Sequence, residues 1–195
     1  MNYKWIPNLL TSIRIVLVPI FIYFLFSEFN HGKLIALGVF IMAAITDAYD
    51  GKIARKHDIV TKFGIFFDPL ADKFLILSAF YAFMFFPILS NTVKLWMIII
   101  ISFRDIVVTM LRTIMQYRGV TMITSKLGKV KTMLQFITIH LILIFLILQS
   151  YNIIMPIYYE TLYFFMFITT IITFYTGIHY FYYNYKILST LLLKK

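Results

Sequence analysis

The sequence contains no cysteine. Disulfides, thiolate metal sites and cysteine nucleophiles are therefore excluded. Charge is also scarce. Charged residues fill 13% of the 195 positions, against roughly a quarter in a soluble domain. Acids are the rarest class of charge, with 8 Asp and Glu against 18 Lys and Arg. Glycine and proline number only 7 and 5, and no linker, low-complexity tract or internal repeat is visible. What fills the chain instead is apolar: 62% of residues are hydrophobic, well above the soluble norm of about half.

Where nearly every position is apolar, periodicity says little. The length of the apolar runs is the better measure, because about 20 apolar helical residues cross the hydrocarbon core. Six runs of that order lie at 6–27, 34–50, 68–86, 92–117, 130–150 and 157–183. They predict an all-α membrane protein, a six-transmembrane-helix bundle formed by a single domain over 1–195. The connections 28–33, 87–91 and 151–156 are short, whereas 51–67 and 118–129 are longer and polar. The stretch MNYKWIPNLLTSIR at the start does not read as a cleaved signal. Arg14 interrupts its apolar part and no small-residue cleavage pattern follows. It reads as the start of the first permanent helix.

Net charge is +10. On a soluble protein that would suggest nucleic acid, but here the placement of the charges suggests a membrane surface and anionic substrates, and no nucleic-acid partner. With the N-terminus inside, Lys4, Lys52, Arg55, Lys56, Lys62, Arg118, Lys126, Lys129, Lys131, Lys186, Lys194 and Lys195 all fall on the cytoplasmic side. Only Lys33 and Lys94 fall opposite. The positive-inside rule then predicts both termini and both long loops in the cytoplasm. The expected location is the cell (inner or plasma) membrane, as a multi-pass protein. Trp5, Trp96 and the aromatic run from Tyr180 to Tyr185 sit near predicted interfaces, where such rings anchor helices.

Five of the eight acids crowd between 47 and 72, in DAYDGKIARKHDIVTKFGIFFDPLADK, and four of them form two pairs, with Asp58 apart in the loop. Asp47 and Asp50 are three apart, Asp68 and Asp72 four apart, so each pair lies on one helix face. Two antiparallel helices joined by one loop can turn both pairs into one cleft. Converging carboxylates at membrane depth repel one another unless cations neutralise them. With no cysteine, and with His57 standing alone, these hard oxygen ligands point to Mg²⁺ or Mn²⁺. Two ions about 4 Å apart would clamp the attacking and leaving oxygens of a phosphoryl transfer. Gly51 and Gly64 allow a bulky phosphate or nucleotide to approach the backbone, Ala54 leaves space one turn beyond Asp50, and Pro69 suits a helix start just after Asp68. The rival account, solvated ion pairs with Lys52, Arg55, Lys62 and Lys73, needs neither the spacings nor the glycines.

The pattern D-x2-D-G-x2-A-R-x8-G-x3-D-x3-D resembles, without departure, the signature of the CDP-alcohol phosphatidyltransferase family. It is carried by Asp47, Asp50, Gly51, Ala54, Arg55, Gly64, Asp68 and Asp72. The resemblance implies a six-helix bundle with its site at the cytoplasmic face, working as a homodimer. It implies that Asp47, Asp50 and Asp68 hold one metal ion, that Asp47, Asp68 and Asp72 hold the other, and that Asp72 is also the general base. Gly51, Arg55 and Thr61 would contact the CDP moiety, with Ala54 and Gly64 lining that site. Within the family, PNLLTSIR at 7–14, FRDIVVTMLR at 103–112 and SKLGKVKTMLQ at 125–135 are most similar to the bacterial phosphatidylglycerophosphate synthase branch. Gly128, Lys129, Lys131, Thr132 and Gln135 are the most telling residues. That branch transfers a phosphatidyl group from CDP-diacylglycerol to glycerol 3-phosphate in phospholipid biosynthesis and releases CMP. Cardiolipin synthase-like members using phosphatidylglycerol, or members using serine or inositol phosphate, are the alternatives.

A phosphorylated acceptor needs cations. Arg104 and Arg112, eight apart on the fourth helix, face roughly one way, and Lys126, Lys129 and Lys131 lie at the entry to the fifth. Arg112 and Lys131 lead this set, with Arg104 and Lys129 beside them. Arg104 has a second reading as the ion-pair partner of Asp105 or Asp47. Arg118 and Lys126 read equally as positive-inside charges. Asn8, Thr11 and Arg14, at three-residue spacing on the first helix, face the nucleotide or lipid phosphate in one reading. His140 and His179 read as buried hydrogen-bonding side chains, and Glu28 and Asp58 as solvated. A cation transporter would need acids spread across the membrane or broken midplane helices. A scaffold would not need two acidic pairs.

Overall fold

A computed structural model describes residues 6–29, 31–57, 62–117, 119–120, 126–153 and 157–193, except for the side chains of 6–11, 47–57, 62–72, 126, 186, 188 and 190–193. Its described residues form six α-helices: α1 (Ile6–Phe26), α2 (Gly32–His57), α3 (Lys62–Phe83), α4 (Leu95–Tyr117), α5 (Lys126–Ser150) and α6 (Ile157–Leu193). A 3-10 turn at Pro87–Leu89 lies between α3 and α4. Each helix falls on one of the six apolar runs.

The helix stops have local causes. After α4, Gly119 takes a positive φ of 74°. The Val120 N–H then donates to Met115 O at 2.9 Å and the Gly119 N–H to Gln116 O at 3.1 Å. After α5, Asn152 takes φ 58°, with Ile153 N–H donating to Leu148 O at 2.9 Å and Asn152 N–H to Gln149 O at 3.0 Å. Both are six-to-one and five-to-two closures around a left-handed residue that satisfy the last carbonyls. Along the helices, hydroxyls of Thr113, Thr132, Thr138, Thr161 and Thr170 donate to the carbonyl four residues back. That disposes of polar groups where water is absent.

Four helix ends run four or more residues further than the apolar runs predict, α5 among them, which starts at Lys126 and not at 130. α2 continues seven residues past Asp50, and α3 begins six residues before Asp68. Gly51, Ala54, Arg55 and Gly64 therefore lie on helical backbone and not in a long loop, and Pro69 lies inside α3 instead of at its start. α6, at 37 residues, is about 55 Å long, well beyond the hydrocarbon thickness. The α2 extension GKIARKH is polar and invisible to hydropathy, whereas the extensions of α3 and α6 are apolar stretches set off from the main runs by Asp68 and by Asn184 and Lys186.

α1 packs against α2 and α3, α4 against α3 and α6, and α5 against α6, α2 and α3. Among the described residues α2 and α3 touch little, and α4 and α5 lean on α3 and α6 more than on each other. The core is built from Phe21, Phe40, Phe80, Phe83, Met97, Ile101, Leu143 and Leu146, among others. Phe40 joins three helices, its ring 5.7 Å from that of Phe21 on α1 and 5.7 Å from that of Phe136 on α5. The outside is also apolar: Phe85 is 75% exposed and Phe103 69%. An outer surface of this kind suits lipid and not water. Among the described residues, Leu127–Ser150 and Ile157–Tyr185 are long and apolar enough to cross a membrane. Ser12–Phe26, Gly32–Thr46 and Lys73–Phe83 are shorter apolar helices whose inner limits are where the described side chains stop. α4 carries Arg104, Asp105 and Arg112 within its apolar length.

Candidate active site

Polar groups are buried at one end of the bundle. Going up and down through the helices, this end holds the start of α1, the end of α2, the start of α3, α4 from its middle onward, α5 up to its middle and α6 from Thr169 onward. Its buried polar residues are Arg14, Asp105, Thr113, Lys131, Gln135, Thr138, Thr169, Thr170, Thr173, Thr176 and Asn184. The two acid pairs belong to the same end: Asp47 and Asp50 lie near the end of α2, Asp68 and Asp72 near the start of α3. The side chains of these four aspartates, and of Gly51, Ala54, Arg55, Gly64, Asn8 and Thr11, lie outside the described residues, as does Thr61 altogether. Among the described residues no group of three or more His, Asp or Glu could hold a metal ion.

The best-defined part of the site joins α4 to α5. Asp105 is 0% exposed and Lys131 1%. The Lys131 ammonium donates to Asp105 Oδ1 at 2.5 Å, and the Gln135 side-chain amide donates to Asp105 Oδ2 at 3.0 Å. Arg104 Nη1 lies 3.4 Å from the same Oδ1. Burying an ammonium at this depth requires a partner of opposite charge, and Asp105 supplies it. Lys73, next in sequence to Asp72, is near enough for its charge to act on both Asp105 and Lys131. The cluster therefore adjoins the acid-bearing start of α3.

Arg104 reaches this position across α6. A methyl group on Gly177 would come within 2.9 Å of Arg104 Cγ, so glycine there lets the arginine stem lie against the helix. The charges of Arg104 and Arg112 both reach Tyr180. Of the cations read as phosphate ligands, Arg104 and Lys131 are thus brought to one carboxylate, and Arg104 has Asp105 as its partner. Arg112 and Lys129 are exposed. Arg14 is buried and engaged with a neighbour. His140 Nδ1 lies 2.7 Å from Phe136 O within its own helix, His179 stacks on Tyr183 with ring centroids 4.3 Å apart, and Glu28 is exposed.

Sequence reasoning missed the Asp105–Lys131–Gln135 cluster as a unit. A signal was present: one acid within the apolar length of α4 and one lysine at the entry to α5 each need a buried counter-charge.

The pattern of one protein family, CDP-alcohol phosphatidyltransferase, matches residues 4–179. The CDP-diacylglycerol–glycerol-3-phosphate 3-phosphatidyltransferase of Bacillus subtilis is 36% identical over 152 residues, covering 71% of this chain and 76% of that protein. A probable phosphatidylglycerophosphate synthase of Mycobacterium tuberculosis is 37% identical over 139 residues, 70% of this chain and 64% of that protein. The CDP-diacylglycerol–glycerol-3-phosphate 3-phosphatidyltransferase of Rickettsia felis is 34% identical over 141 residues, 72% of this chain and 76% of that protein. The all-helical bundle, its apolar outer surface and these matches agree: the chain is a membrane-associated transferase belonging to the CDP-alcohol phosphatidyltransferase family.

Proposed function

We propose that this chain transfers a phosphatidyl group from CDP-diacylglycerol to glycerol 3-phosphate, giving phosphatidylglycerophosphate and CMP. The observation that carries the reading is the unbroken eight-position acid signature, set at the same end of the bundle as a buried cationic cluster. Relatives named for this reaction support the choice of both substrates.

The donor set of the acid pairs is four carboxylates, which fits hard divalent ions such as Mg²⁺ or Mn²⁺. Asp47, Asp50 and Asp68 would hold one ion, and Asp47, Asp68 and Asp72 the other. When bound, such ions supply electrostatic stabilisation of charge on the reacting phosphate. The chain's own residues do the rest. Gly51, Ala54 and Gly64 leave room for the CDP moiety, with Arg55, Thr61, Asn8 and Thr11 offering it polar contacts. Arg104, Arg112, Lys129 and Lys131 supply positive charge for the acceptor phosphate. Asp72 takes the proton from the primary hydroxyl of glycerol 3-phosphate. The freed oxygen attacks the phosphorus bearing diacylglycerol, and the bond to CMP breaks. One Asp72 oxygen must serve the metal and the other the proton.

The same reading makes the chain one domain, a homodimer spanning the cell membrane several times, with both termini and the acid end in the cytoplasm. The excess of Lys and Arg on that side supports the orientation. The deciding experiment supplies purified protein with labelled CDP-diacylglycerol and a panel of acceptors. Glycerol 3-phosphate should drive CMP release, and Asp72→Asn should abolish it. Preference for phosphatidylglycerol, serine or inositol phosphate would replace the acceptor assignment while leaving the transferase intact.

A further inference from the structure

We propose that Asp105 is a positioning residue: together with Gln135 it fixes the Lys131 ammonium and the Arg104 guanidinium around one carboxylate, and so sets the cationic seat for the acceptor phosphate. The inference rests on the acceptor reading above and assigns a role to two residues outside the acid signature.

The geometry is that of a holder with both hands occupied. Asp105 Oδ1 receives Lys131 at 2.5 Å and Arg104 at 3.4 Å, while Oδ2 accepts from Gln135 at 3.0 Å. A carboxylate tied at both oxygens cannot swing about its own axis. Because both cations meet the same oxygen, one from α4 and one from α5, their spacing is set by that atom. α4 and α5 lean on α3 and α6 more than on each other, so these long side chains bridge the space between them.

The charge balance points to an anionic ligand. A purely structural lock would need one lysine and one aspartate. Here Arg104 and Lys131 both meet the single carboxylate of Asp105. An apolar interior tolerates such an excess of positive charge where an anion completes it. Two buried polar atoms in the cluster are also unpartnered among the described residues: Arg104 Nε, a donor, and Gln135 Oε1, an acceptor. A phosphate oxygen suits the first and an alcohol hydroxyl the second, the two kinds of group that glycerol 3-phosphate presents. Lys73 ties the cluster to α3, one residue from the proposed proton acceptor Asp72.

Removing the Asp105 charge has two opposed effects on phosphate binding. It strips away a competing anion, which favours binding, and it releases two cations from their places, which disfavours it. An ammonium left without its partner in an apolar setting does not hold its position, so loss of placement wins.

The test is steady-state kinetics of the purified full chain in mixed lipid–detergent micelles, with CDP-diacylglycerol and glycerol 3-phosphate varied separately. Asp105→Asn should raise KM for glycerol 3-phosphate about tenfold, in line with loss of a charged hydrogen bond. KM for CDP-diacylglycerol should stay within about twofold, and kcat should fall by less than KM rises. Asp105→Glu, which keeps the carboxylate, should recover most of the loss. Gln135→Met, which removes one tether and no charge, should raise the same KM roughly threefold. It decides the matter if Asp105→Asn does not fold. A fall in KM for glycerol 3-phosphate would make Asp105 a mere competitor of the phosphate. Equal changes in both KM values, or lost thermal stability with both unchanged, would make the cluster a structural lock. Either result overturns the inference. Wild-type protein that releases no CMP with glycerol 3-phosphate would instead overturn the acceptor reading.

Discussion

The two ends of this bundle are built on opposite principles. At one end Phe21, Phe40, Phe80, Phe83, Met97 and Leu146 interlock with almost no buried polar group among the described residues. At the other end Arg14, Asp105, Lys131, Gln135 and Asn184 are buried just as deeply. The same helices supply both: α4 turns from Met97, Ile98 and Ile101 to Asp105 within two turns, and α5 from Lys131 and Gln135 to Ile139 and Leu143. Side chains at the apolar end stabilise by packing and need no specific partner. Side chains at the polar end must each find one, which is tolerated where chemistry requires it. Stability should therefore be concentrated at one end and activity at the other, and substitutions should separate the two.

The largest expected effect is at the polar end. Asp68→Asn should lower CMP release by about a thousandfold, because it removes a shared carboxylate of both proposed ion sites. Thermal unfolding in detergent should change little. Next comes Phe80→Ala at the apolar end. It should cost about 3 kcal/mol of stability through the cavity it leaves, read as a lowered unfolding temperature. The KM values of the protein that remains folded should be unaltered. If Phe80→Ala instead raised KM for glycerol 3-phosphate, the division between the ends would fail.

Two smaller effects sharpen the boundary. Arg112→Ala should raise KM for glycerol 3-phosphate about tenfold, since an exposed guanidinium offers a phosphate two donors. An unchanged KM would remove Arg112 from the acceptor seat. Thr138→Val should have the smallest effect. Thr138 and Thr169 share a hydroxyl–hydroxyl contact of 2.8 Å between α5 and α6, and such interhelical bonds are worth about 0.6 kcal/mol in membrane proteins. A slight drop in unfolding temperature with full activity is expected. A loss of activity would extend the functional region up to the level of Thr138.

Much of this was legible in the sequence, for identifiable reasons. Six apolar runs became six helices because each must satisfy its backbone internally in an apolar medium. The acid signature was legible because its eight positions fall within 26 residues, so local spacing alone fixes the pattern. The helical extension of α2 to His57 and of α3 back to Lys62 was not legible. The α2 extension GKIARKH is polar, and hydropathy reports solvent and not backbone; the α3 extension KFGIFF is largely apolar but is cut from the run below it by Asp68, Pro69 and Asp72. Nor was the partner of Lys131. Asp105 stands 26 positions away, on a helix that meets α5 through side chains, and no local pattern pairs residues at that distance. Local sequence therefore makes Lys131 a phosphate ligand and gives Gln135 no partner, whereas the Lys131 ammonium is held by Asp105 and the Gln135 amide donates to the same carboxylate.

The central claim, that the acid end houses a pair of divalent ions, is tested most directly by electron paramagnetic resonance of Mn²⁺ added to the purified protein with CDP. Two bound ions per chain are predicted, spin-coupled at a separation of about 4 Å and both lost in Asp68→Asn. Uncoupled Mn²⁺, or binding that survives that substitution, would contradict the account.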